Sequence, residues 1–407
     1  MNMLKKNDAI FERAKLVIPG GIYGHQSVKQ LPKGYPQYFA KADGAYTWDV
    51  DGNRYVDYMC GFGTNLLGYR NPEVESAALA QLMLGDTVSG PSELMVTLAE
   101  QFVSMITHAD WAMFCKNGSD ATSIALVAAR AYRNKKKILL ATGAYHGAAP
   151  WNTPVLKGVT PEDRANIIYF EYNNVESLTE AFKAAEGDIA GLYATPFRHE
   201  VFEDAYFPSE DYAKAARRLC DEHDALLIVD EVRTGLRLSR DCVWSAMGVQ
   251  PDLSTWGKAI GNGHCISAVL GSDKVRQAAE EIFVTGSYWY SSVPMAAALA
   301  TLKQVQSSQY LEHTIAVAQH LRDGIAKQAL AYDFELKQTG PAVMPQMLFA
   351  NDPDVKTGGA WTVAMLKHGA YLHPYHNMFL SAAHTFADIE LTLQASEAAF
   401  IEISKLR

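Results

Sequence analysis

The stretch ALLIVDEVRTG, residues 225–235, carries the pattern on which the expected fold depends. Five apolar residues in a row lead to the carboxylate of Asp230, which is typical of a strand buried on both faces of a parallel sheet. A carboxylate at the end of such a strand loses solvation and needs a cationic or hydrogen-bonding partner. Taken alone, this motif is more typical of a strand-end cap or a salt bridge than of a functional group.

Short apolar runs of the same kind recur on both sides of this stretch, and helical patterns such as residues 92–106 separate them. The runs are WAMFC (111–115), KILLA (137–141), NIIYF (166–170), AGLYA (190–194) and SAVLG (267–271). This alternation predicts a mostly parallel α/β sheet covered by helices on both faces. Because ligands of such sheets bind beyond the carboxyl ends of the strands, the residues that follow these runs are candidates for a site.

Composition limits the kind of protein. The chain has 407 residues, 48% of them hydrophobic and 20% charged, with a formal net charge of -9. This length predicts two domains, and the acidic balance argues against nucleic acid as the main partner. Five cysteines without a CxxC pair favour a reducing compartment, and no apolar run has the length of a membrane span. We therefore expect a cytoplasmic protein with no nucleic-acid or membrane partner.

A lysine follows the next strand-like run, in PDLSTWGKAIGNG at 251–263. Lys258 is followed by a glycine-rich turn that would let a ligand approach the backbone. A solvated lysine is the commoner case. A lysine that forms a Schiff base must instead be partly desolvated, so that its amine is neutral and nucleophilic.

Two further segments have the features of a site for a planar phosphorylated ligand. In KNGSDAT (116–122), a glycine turn leads into a helix whose N–H groups at Gly118, Ser119 and Asp120 suit a phosphate. A simple helix cap by Ser119 is an interpretation that the spacing supports nearly as well. In GAYHG (143–147), Tyr145 follows a strand and is placed to stack on a planar ring. The alternative is a packed Tyr145 with His146 bonded to backbone.

In this order, the segments resemble the class III aminotransferases, pyridoxal 5′-phosphate (PLP) enzymes of fold type I, and most of all the glutamate-1-semialdehyde 2,1-aminomutases. LVIPGGI (16–22), ADGAYTWDVDGNRYVDY (42–58), NPEV (71–74) and FLSAAHTFADIELTL (379–393) extend the likeness over nearly the whole chain. The resemblance implies a large α/β domain with a mainly parallel seven-stranded sheet, a smaller α+β C-terminal domain, and a homodimer with shared active sites. The implied division is an N-terminal segment (1–60) packing with the small domain and the dimer partner, a PLP-binding domain (61–295) and a C-terminal domain (296–407).

The resemblance also assigns roles. Lys258 would form the internal aldimine with PLP and move the substrate proton, Asp230 would pair with the pyridine N–H, and Tyr145 and Val232 would lie on the two faces of the ring. The implied cofactor-binding residues are Asn117, Gly118, Ser119, Asp120, Tyr145, His146, Asp230, Val232 and Lys258. A phosphate-binding threonine of the neighbouring subunit matches Trp289 here, so Ser291 or Ser292 would have to replace it.

Several segments depart from the aminomutase pattern, and these departures bear on the substrate. Ser27 stands where a carboxylate-binding arginine is expected, and the gating segment after YHG (146–164) is short. The acidic residue of the C-terminal loop is missing from YLHPYHNMF (371–379), and ATPFRHE (194–200) replaces the usual Glu-Pro. An aminomutase must retain its intermediate behind a lid. These changes therefore favour ordinary transamination.

Five residues are candidate substrate contacts in this reading: His25, Arg233, His199, His373 and His376. His199 is also a candidate for bonding the phenolic oxygen of PLP. The plainer alternatives are a surface salt bridge for Arg233 and backbone bonding in a turn for the two histidines of HPYH. We expect no metal site.

The sequence thus predicts an aminotransferase that moves an amino group between an amino acid or amine and a keto or aldehyde acceptor through Lys258. The alternatives are an aminomutase or racemase and, less favoured, a PLP-binding regulatory protein without turnover. A nicotinamide enzyme is weaker still, because no G-x-G-x-x-G motif opens an early helix.

Overall fold

A computed structural model of the chain describes residues 4–27 and 31–406, with the side chain of His25 outside the described part. The strands are β1 (Phe39–Asp43), β2 (Tyr46–Asp49), β3 (Arg54–Asp57), β4 (Trp111–Cys115), β5 (Lys137–Ala141), β6 (Ile167–Phe170), β7 (Ile189–Ala194), β8 (Leu226–Asp230), β9 (Leu253–Trp256), β10 (Ser267–Gly271), β11 (Leu336–Thr339), β12 (Gln346–Phe349) and β13 (Ala370–Tyr371). The helices are α1 (Lys5–Ala14), α2 (Cys60–Gly63), α3 (Pro72–Leu82), α4 (Glu93–Val103), α5 (Gly118–Arg133), α6 (Pro161–Arg164), α7 (Val175–Ala184), α8 (Glu210–Glu222), α9 (Asp273–Glu281), α10 (Ser292–Ser307), α11 (Tyr310–Ala331), α12 (Lys356–Lys367) and α13 (Phe386–Ser404).

The largest sheet among the described residues has seven strands in the order β4-β10-β9-β8-β7-β5-β6. The pairs β9·β8, β8·β7, β7·β5 and β5·β6 are parallel, whereas β10 runs antiparallel to both of its neighbours. The predicted mainly parallel seven-stranded α/β sheet is therefore confirmed. Because β8 and β9 lie side by side and parallel, the residues that follow them leave the sheet at the same edge.

The two faces of this sheet carry separate apolar cores. Leu227 and Val229 of β8 pack on one face with side chains of α7 and α8. Leu226 and Ile228 pack on the other face with side chains of α5 and α9. Alternate residues of a strand point to opposite faces, so a central strand covered on both sides reads as an unbroken apolar run.

The chain divides into two compact units. The first takes in the residues up to Asn71, the short segment Val201–Ala205 and the chain from Tyr310; the second takes in Pro72–Glu200 and Tyr206–Gln309. The second unit holds the seven-stranded sheet. The finer functional division expected from the sequence, with boundaries at residues 60 and 295, stays a prediction.

The first unit holds a four-stranded sheet, β1-β2-β3-β13, and the two-stranded sheet β11-β12. A hairpin lies around Asp51-Gly52, since β2 and β3 pair antiparallel with Trp48 opposite Arg54. Strand β2 ends at Asp49 and β3 begins at Arg54, so the loop between them is longer than two residues. The Asp49 carboxylate holds this loop by accepting hydrogen bonds from the N–H groups of Asp51 and Asn53.

Within residues 4–27 and 31–406, none of the helices combines the length and the apolar character needed to span a membrane.

Candidate active site

Asp230 ends β8 and is buried, and three donors hold its carboxylate. Thr255 Oγ1 donates to Oδ1 at 2.8 Å and the N–H of Val232 donates to the same oxygen at 3.1 Å. His146 Nδ1 lies 2.7 Å from Oδ2. Thr255 stands directly opposite Asp230 in the β8·β9 register. The neighbouring strand and the GAYHG turn therefore fix the plane of this carboxylate.

Lys258 follows β9 by two residues and is partly exposed, although the residues on both sides of it are buried. Its backbone adopts a left-handed φ of 44°, which is uncommon outside glycine and directs the side chain out of the regular strand path. Burial, and then the positive charges of Arg233 and Arg237, lower the pKa of Lys258 to about 7. A sizeable fraction of this amine is therefore neutral near neutral pH.

Helix α5 begins at Gly118, and the first N–H groups of a helix have no acceptor within the helix itself. The Asp120 carboxylate turns back to accept from the N–H of Asn117 at 2.9 Å, which fixes the turn before the helix. A Cβ on Gly118 would lie 2.6 Å from Val232 Cγ1. The helix terminus and Val232 thus approach each other as closely as a glycine allows.

The GAYHG turn is tied to the same helix. Gly147 has a φ of 116°, and a Cβ on it would lie 2.6 Å from Ser119 Oγ. Thr122 Oγ1 donates to the carbonyl of His146 at 2.7 Å, and the N–H of Ala148 donates to Ser119 Oγ at 3.0 Å. Tyr145 is partly exposed at this place. Its partial burial raises the pKa of its hydroxyl, while the charge of Arg233 lowers that pKa and the charge of Asp230 raises it.

These features suit PLP as a cofactor. A buried carboxylate with fixed orientation, an amine with a lowered pKa and an aromatic ring are grouped in the second unit. A helix N-terminus lies beside them, and it leaves room only for a glycine at its first residue. Such a set matches a molecule with a basic ring nitrogen, an aldehyde and a phosphate.

The space at Gly118 gives a testable expectation. In Gly118→Ala the new Cβ must displace Val232, a stiff β-branched side chain, at a cost of about 1–3 kcal/mol. We expect the affinity of the apoenzyme for PLP, measured by fluorescence titration, to fall by about 5- to 150-fold. Gly90→Ala is the matched control, because its Cβ would meet no atom within 4 Å. Equal affinity in the two variants, with equal melting temperatures, would contradict a tight cofactor cradle at Gly118.

Arg233 and His199 also lie in this group. Arg233 Nη1 donates to the carbonyl of His199 at 3.1 Å. His199 is buried, and burial together with the charge of Arg233 holds the pKa of its ring well below the usual value. His199 is therefore a neutral residue beside a cation.

The structure places the remaining predicted residues as follows. Asn117 is exposed. Ser291 Oγ donates to both carboxylate oxygens of Asp86 at 2.8 Å, and Ser292 Oγ donates to Ser92 Oγ at 2.9 Å. Both serine hydroxyls are thus bonded within their own unit, and a role toward a neighbouring subunit stays a prediction.

The two histidines of HPYH, His373 and His376, are buried in a turn of the first unit. His373 Nδ1 accepts from the N–H groups of Tyr375 and His376, and His376 Nδ1 lies 2.5 Å from the carbonyl of Asn377. This backbone bonding was the plainer of the two interpretations. The side chain of His25 lies outside the described residues.

Sequence reasoning missed three residues that belong to this group: Thr255, Glu200 and Arg237. Thr255 lies three residues before Lys258, but only the strand register shows that it faces Asp230. Glu200 lies next to His199, and its carboxylate accepts from Arg198 Nε at 2.8 Å. Arg237 is fully buried and close enough to lower the pKa of Lys258. It is the last residue of the motif VDEVRTGLR (229–237), and its place in that motif was the sequence feature that could have identified it.

Comparison with known proteins gives consistent matches. The family model "Aminotransferase class-III" matches residues 31–388. The aminopentol aminotransferase of Sphingopyxis macrogoltabida is 58% identical over 389 residues, covering 96% of this chain and 92% of that protein. The glutamate-1-semialdehyde 2,1-aminomutase of Desulforamulus reducens is 32% identical, covering 98% of this chain and 99% of that protein. The solved structure of the FumI protein of Sphingopyxis sp. MTA144, in its PLP internal aldimine form, superposes with a TM-score of 0.97 at 57% identity, covering 98% and 96% of the two chains.

Proposed function

The chain belongs to the class III aminotransferases, a PLP-dependent family, and we propose that it takes the amino group of an amino polyol and transfers it to a carbonyl acceptor. The observation that carries this proposal is the 58% identity with an aminopentol aminotransferase over 96% of the chain. The likeness to an aminomutase is 32% over a similar span. The segments that depart from the aminomutase pattern, Ser27 among them, agree with this difference.

The residues of the second unit support the transfer chemistry. When bound, PLP supplies an aldehyde for the incoming amine and a protonated ring that takes up the electron pair left on the substrate carbon. Lys258 Nζ, partly neutral near pH 7, would hold the cofactor and carry the substrate proton. Asp230, oriented by Thr255 and His146, would keep the ring nitrogen protonated.

The other assigned residues would position the cofactor. Tyr145 and Val232 would contact the two faces of the ring, and the first N–H groups of α5 at Gly118 and Ser119 would bind the phosphate. The proposed substrate contacts are Arg233, His199, His25, His373 and His376.

We further propose a homodimer in which Ser291 and Ser292 face the partner subunit. Large apolar side chains are exposed on α3 and just after it, including Leu79, Met83 and Leu84. Exposed apolar groups of this kind are typical of subunit interfaces. Light scattering tests the dimer, and cell fractionation tests the proposed cytoplasmic location.

The direct test of the proposed donor is a half-reaction screen. Each amine is added to the PLP form, and the loss of the near-visible absorbance band is followed. We expect aminopentol to bleach the band at least about tenfold faster than α-amino acids such as glutamate or alanine at equal concentration. Bleaching by α-amino acids alone would overturn the proposed donor class while leaving the family membership intact.

A second test addresses the aminomutase alternative. We expect negligible conversion of glutamate-1-semialdehyde to 5-aminolevulinate by the pyridoxamine form. A carboxylate in a closed site needs a cation or several donors, and Ser27 stands where the aminomutase pattern has its arginine. The short segment after YHG also favours release of the intermediate. Formation of 5-aminolevulinate at roughly 1 per second or faster, within the ordinary enzyme range, would refute this expectation.

A further inference from the structure

Three buried polar atoms on segments next to Asp230 have no hydrogen-bond partner among the described residues. They are Nε2 of His146, Oγ1 of Thr195 and Nδ1 of His199. The three residues are 2%, 3% and 4% exposed, so bulk solvent does not satisfy these atoms. A buried polar group without a partner costs stability, and native proteins commonly satisfy such groups with an ordered water molecule.

Thr195 comes beside Asp230 at the edge of the large sheet. The parallel β7·β8 ladder stays in register up to the residue before each of them. Two residues earlier on the two strands, Tyr193 and Ile228 both pack in the core on the α5 side of the sheet. Because alternate residues of a strand share a face, Thr195 and Asp230 point to that same side. The unpartnered hydroxyl is therefore next to the carboxylate assigned to the cofactor.

His146 lies over the same face of the sheet. The centroid of its ring is 5.2 Å from that of Tyr193, and its Nδ1 lies 2.7 Å from Asp230 Oδ2. An ionised carboxylate can only accept, so the Nδ1 of a neutral His146 carries the proton and its Nε2 is an acceptor. A donor to Nε2 would keep the ring in the tautomer that donates to Asp230.

His199 supplies the third unpartnered atom. It follows Thr195 by four residues in ATPFRHE (194–200), the segment that stands in place of the usual Glu-Pro. Burial is the largest cause that lowers the pKa of His199, and the charges of Arg233 and His146 lower it further. His199 is therefore a neutral ring within electrostatic range of His146, and its Nδ1 can accept a hydrogen bond.

We propose that one ordered water molecule joins Thr195, His199 and His146, and that this water holds His146 in the tautomer that donates to Asp230. The water accepts from Thr195 Oγ1 and donates to His146 Nε2 and His199 Nδ1, which gives it the three bonds typical of a buried water. Thr195 and His199 are then positioning residues that act on Asp230 through His146. The other ring nitrogen of His199 can still serve the substrate contact proposed above. This inference rests on the part of the proposed function that assigns Asp230 to the cofactor ring, and not on the proposed amino donor.

A crystal structure of the PLP-loaded enzyme tests the link without any turnover. We expect one water within about 3.2 Å of all three atoms. In Thr195→Val, which keeps the shape of the side chain, this water should be lost or should move away from His146 Nε2. An unmodified enzyme in which no water joins Thr195 to His146 would overturn the proposal.

Thermal unfolding of the loaded enzyme distinguishes a bonded hydroxyl from an unpartnered one by the sign of the change. Removing an unpartnered buried hydroxyl relieves its desolvation cost and raises the melting temperature. A hydroxyl that bonds the shared water contributes stability instead, so we expect Thr195→Val to melt about 1–4 °C lower than the unmodified enzyme. A higher melting temperature in Thr195→Val would contradict the shared water.

A pH titration of the near-visible absorbance band tests the action on Asp230. A proton on the cofactor ring disfavours a second positive charge nearby and so lowers the pH at which the band titrates. We expect the midpoint to rise by roughly 0.4–1 pH unit in Thr195→Val and to return to its original value in Thr195→Ser, which keeps the hydroxyl. An unchanged midpoint in Thr195→Val would overturn the role of Thr195 toward Asp230.

Thr314→Val is the matched control for the titration. Thr314 is buried on α11 in the first unit, and its hydroxyl donates to the carbonyl of Tyr310 at 2.6 Å. Its loss should leave the midpoint of the absorbance band unchanged, and an equal rise in both variants would mean that the titration reports general destabilisation and would overturn the proposal. If no amine reacts in the screen above, the proposed donor fails, but the crystal structure and the titration still test the shared water.

Discussion

Lys258→Ala is expected to lose turnover by a factor on the order of 10⁴ or more, as enzymes do when their covalent group is removed. An alanine has no amine to hold the cofactor or to carry the substrate proton. The protein should still fold and bind PLP without a covalent bond, because the residues assigned to the phosphate and the ring lie on other segments, at the start of α5 and at the end of β8. The measurements are kcat, PLP content after gel filtration, and the melting temperature.

Borohydride reduction of the unmodified enzyme followed by peptide mapping identifies the lysine directly. We expect the label on Lys258 alone. Lys116 is the informative competitor, because it lies two residues before Gly118 and burial also lowers the pKa of its amine. Label on Lys116, or on any lysine other than Lys258, would contradict the assignment. Lys116→Ala should keep the borohydride label on Lys258.

Most of the large sheet could be predicted because its strands are short and buried on both faces. WAMFC, KILLA and SAVLG coincide with β4, β5 and β10, and the other quoted runs differ from their strands by one residue at the start. The strand LSTW gave a weaker signal, because two of its four residues are polar. Both are buried and have partners: Thr255 donates to Asp230, and Ser254 lies 3.0 Å from His108 Nε2. The polar residues that make these buried hydrogen bonds therefore interrupt the apolar pattern by which β9 could have been predicted.

The parts of the site that could not be predicted depend on contacts between residues far apart in sequence. Arg233 donates to the carbonyl of His199, and a helix and a strand separate these two residues in sequence, so no local pattern links them. Ser291 was singled out by its position in a motif, but its hydroxyl bonds to Asp86, about 200 residues earlier. Strand register and loop packing decide such contacts, and a sequence pattern contains neither.

Two buried aspartates can be compared because they lie at opposite ends of the adjacent parallel strands β8 and β9. Asp230 ends β8, whereas Asp252 comes directly before β9, which runs parallel to β8. Asp252 accepts from Arg217, from Lys274 and from the N–H of Leu227, at 2.8–2.9 Å. Only the carboxyl edge of a parallel sheet binds ligands as a rule. The two carboxylates are equally buried, at 7% exposure. We expect Asp230 to act on the cofactor and Asp252 to stabilise the fold.

Asp230→Asn is expected to reduce kcat on the order of 10²-fold or more, because an amide cannot stabilise a protonated ring nitrogen as a carboxylate does. Its stability should change little: the amide oxygen can still accept from Thr255, and the amide N–H can donate to the other tautomer of His146. Asp252→Asn should do the reverse, losing about 1–3 kcal/mol of folding free energy with kcat nearly unchanged. Thermal unfolding of both apoenzymes and kcat of both loaded enzymes decide the matter. Near-normal turnover in Asp230→Asn, with a loss of stability like that of Asp252→Asn, would make Asp230 a structural cap, because only a carboxylate in contact with the cofactor ring affects the rate far more than the fold.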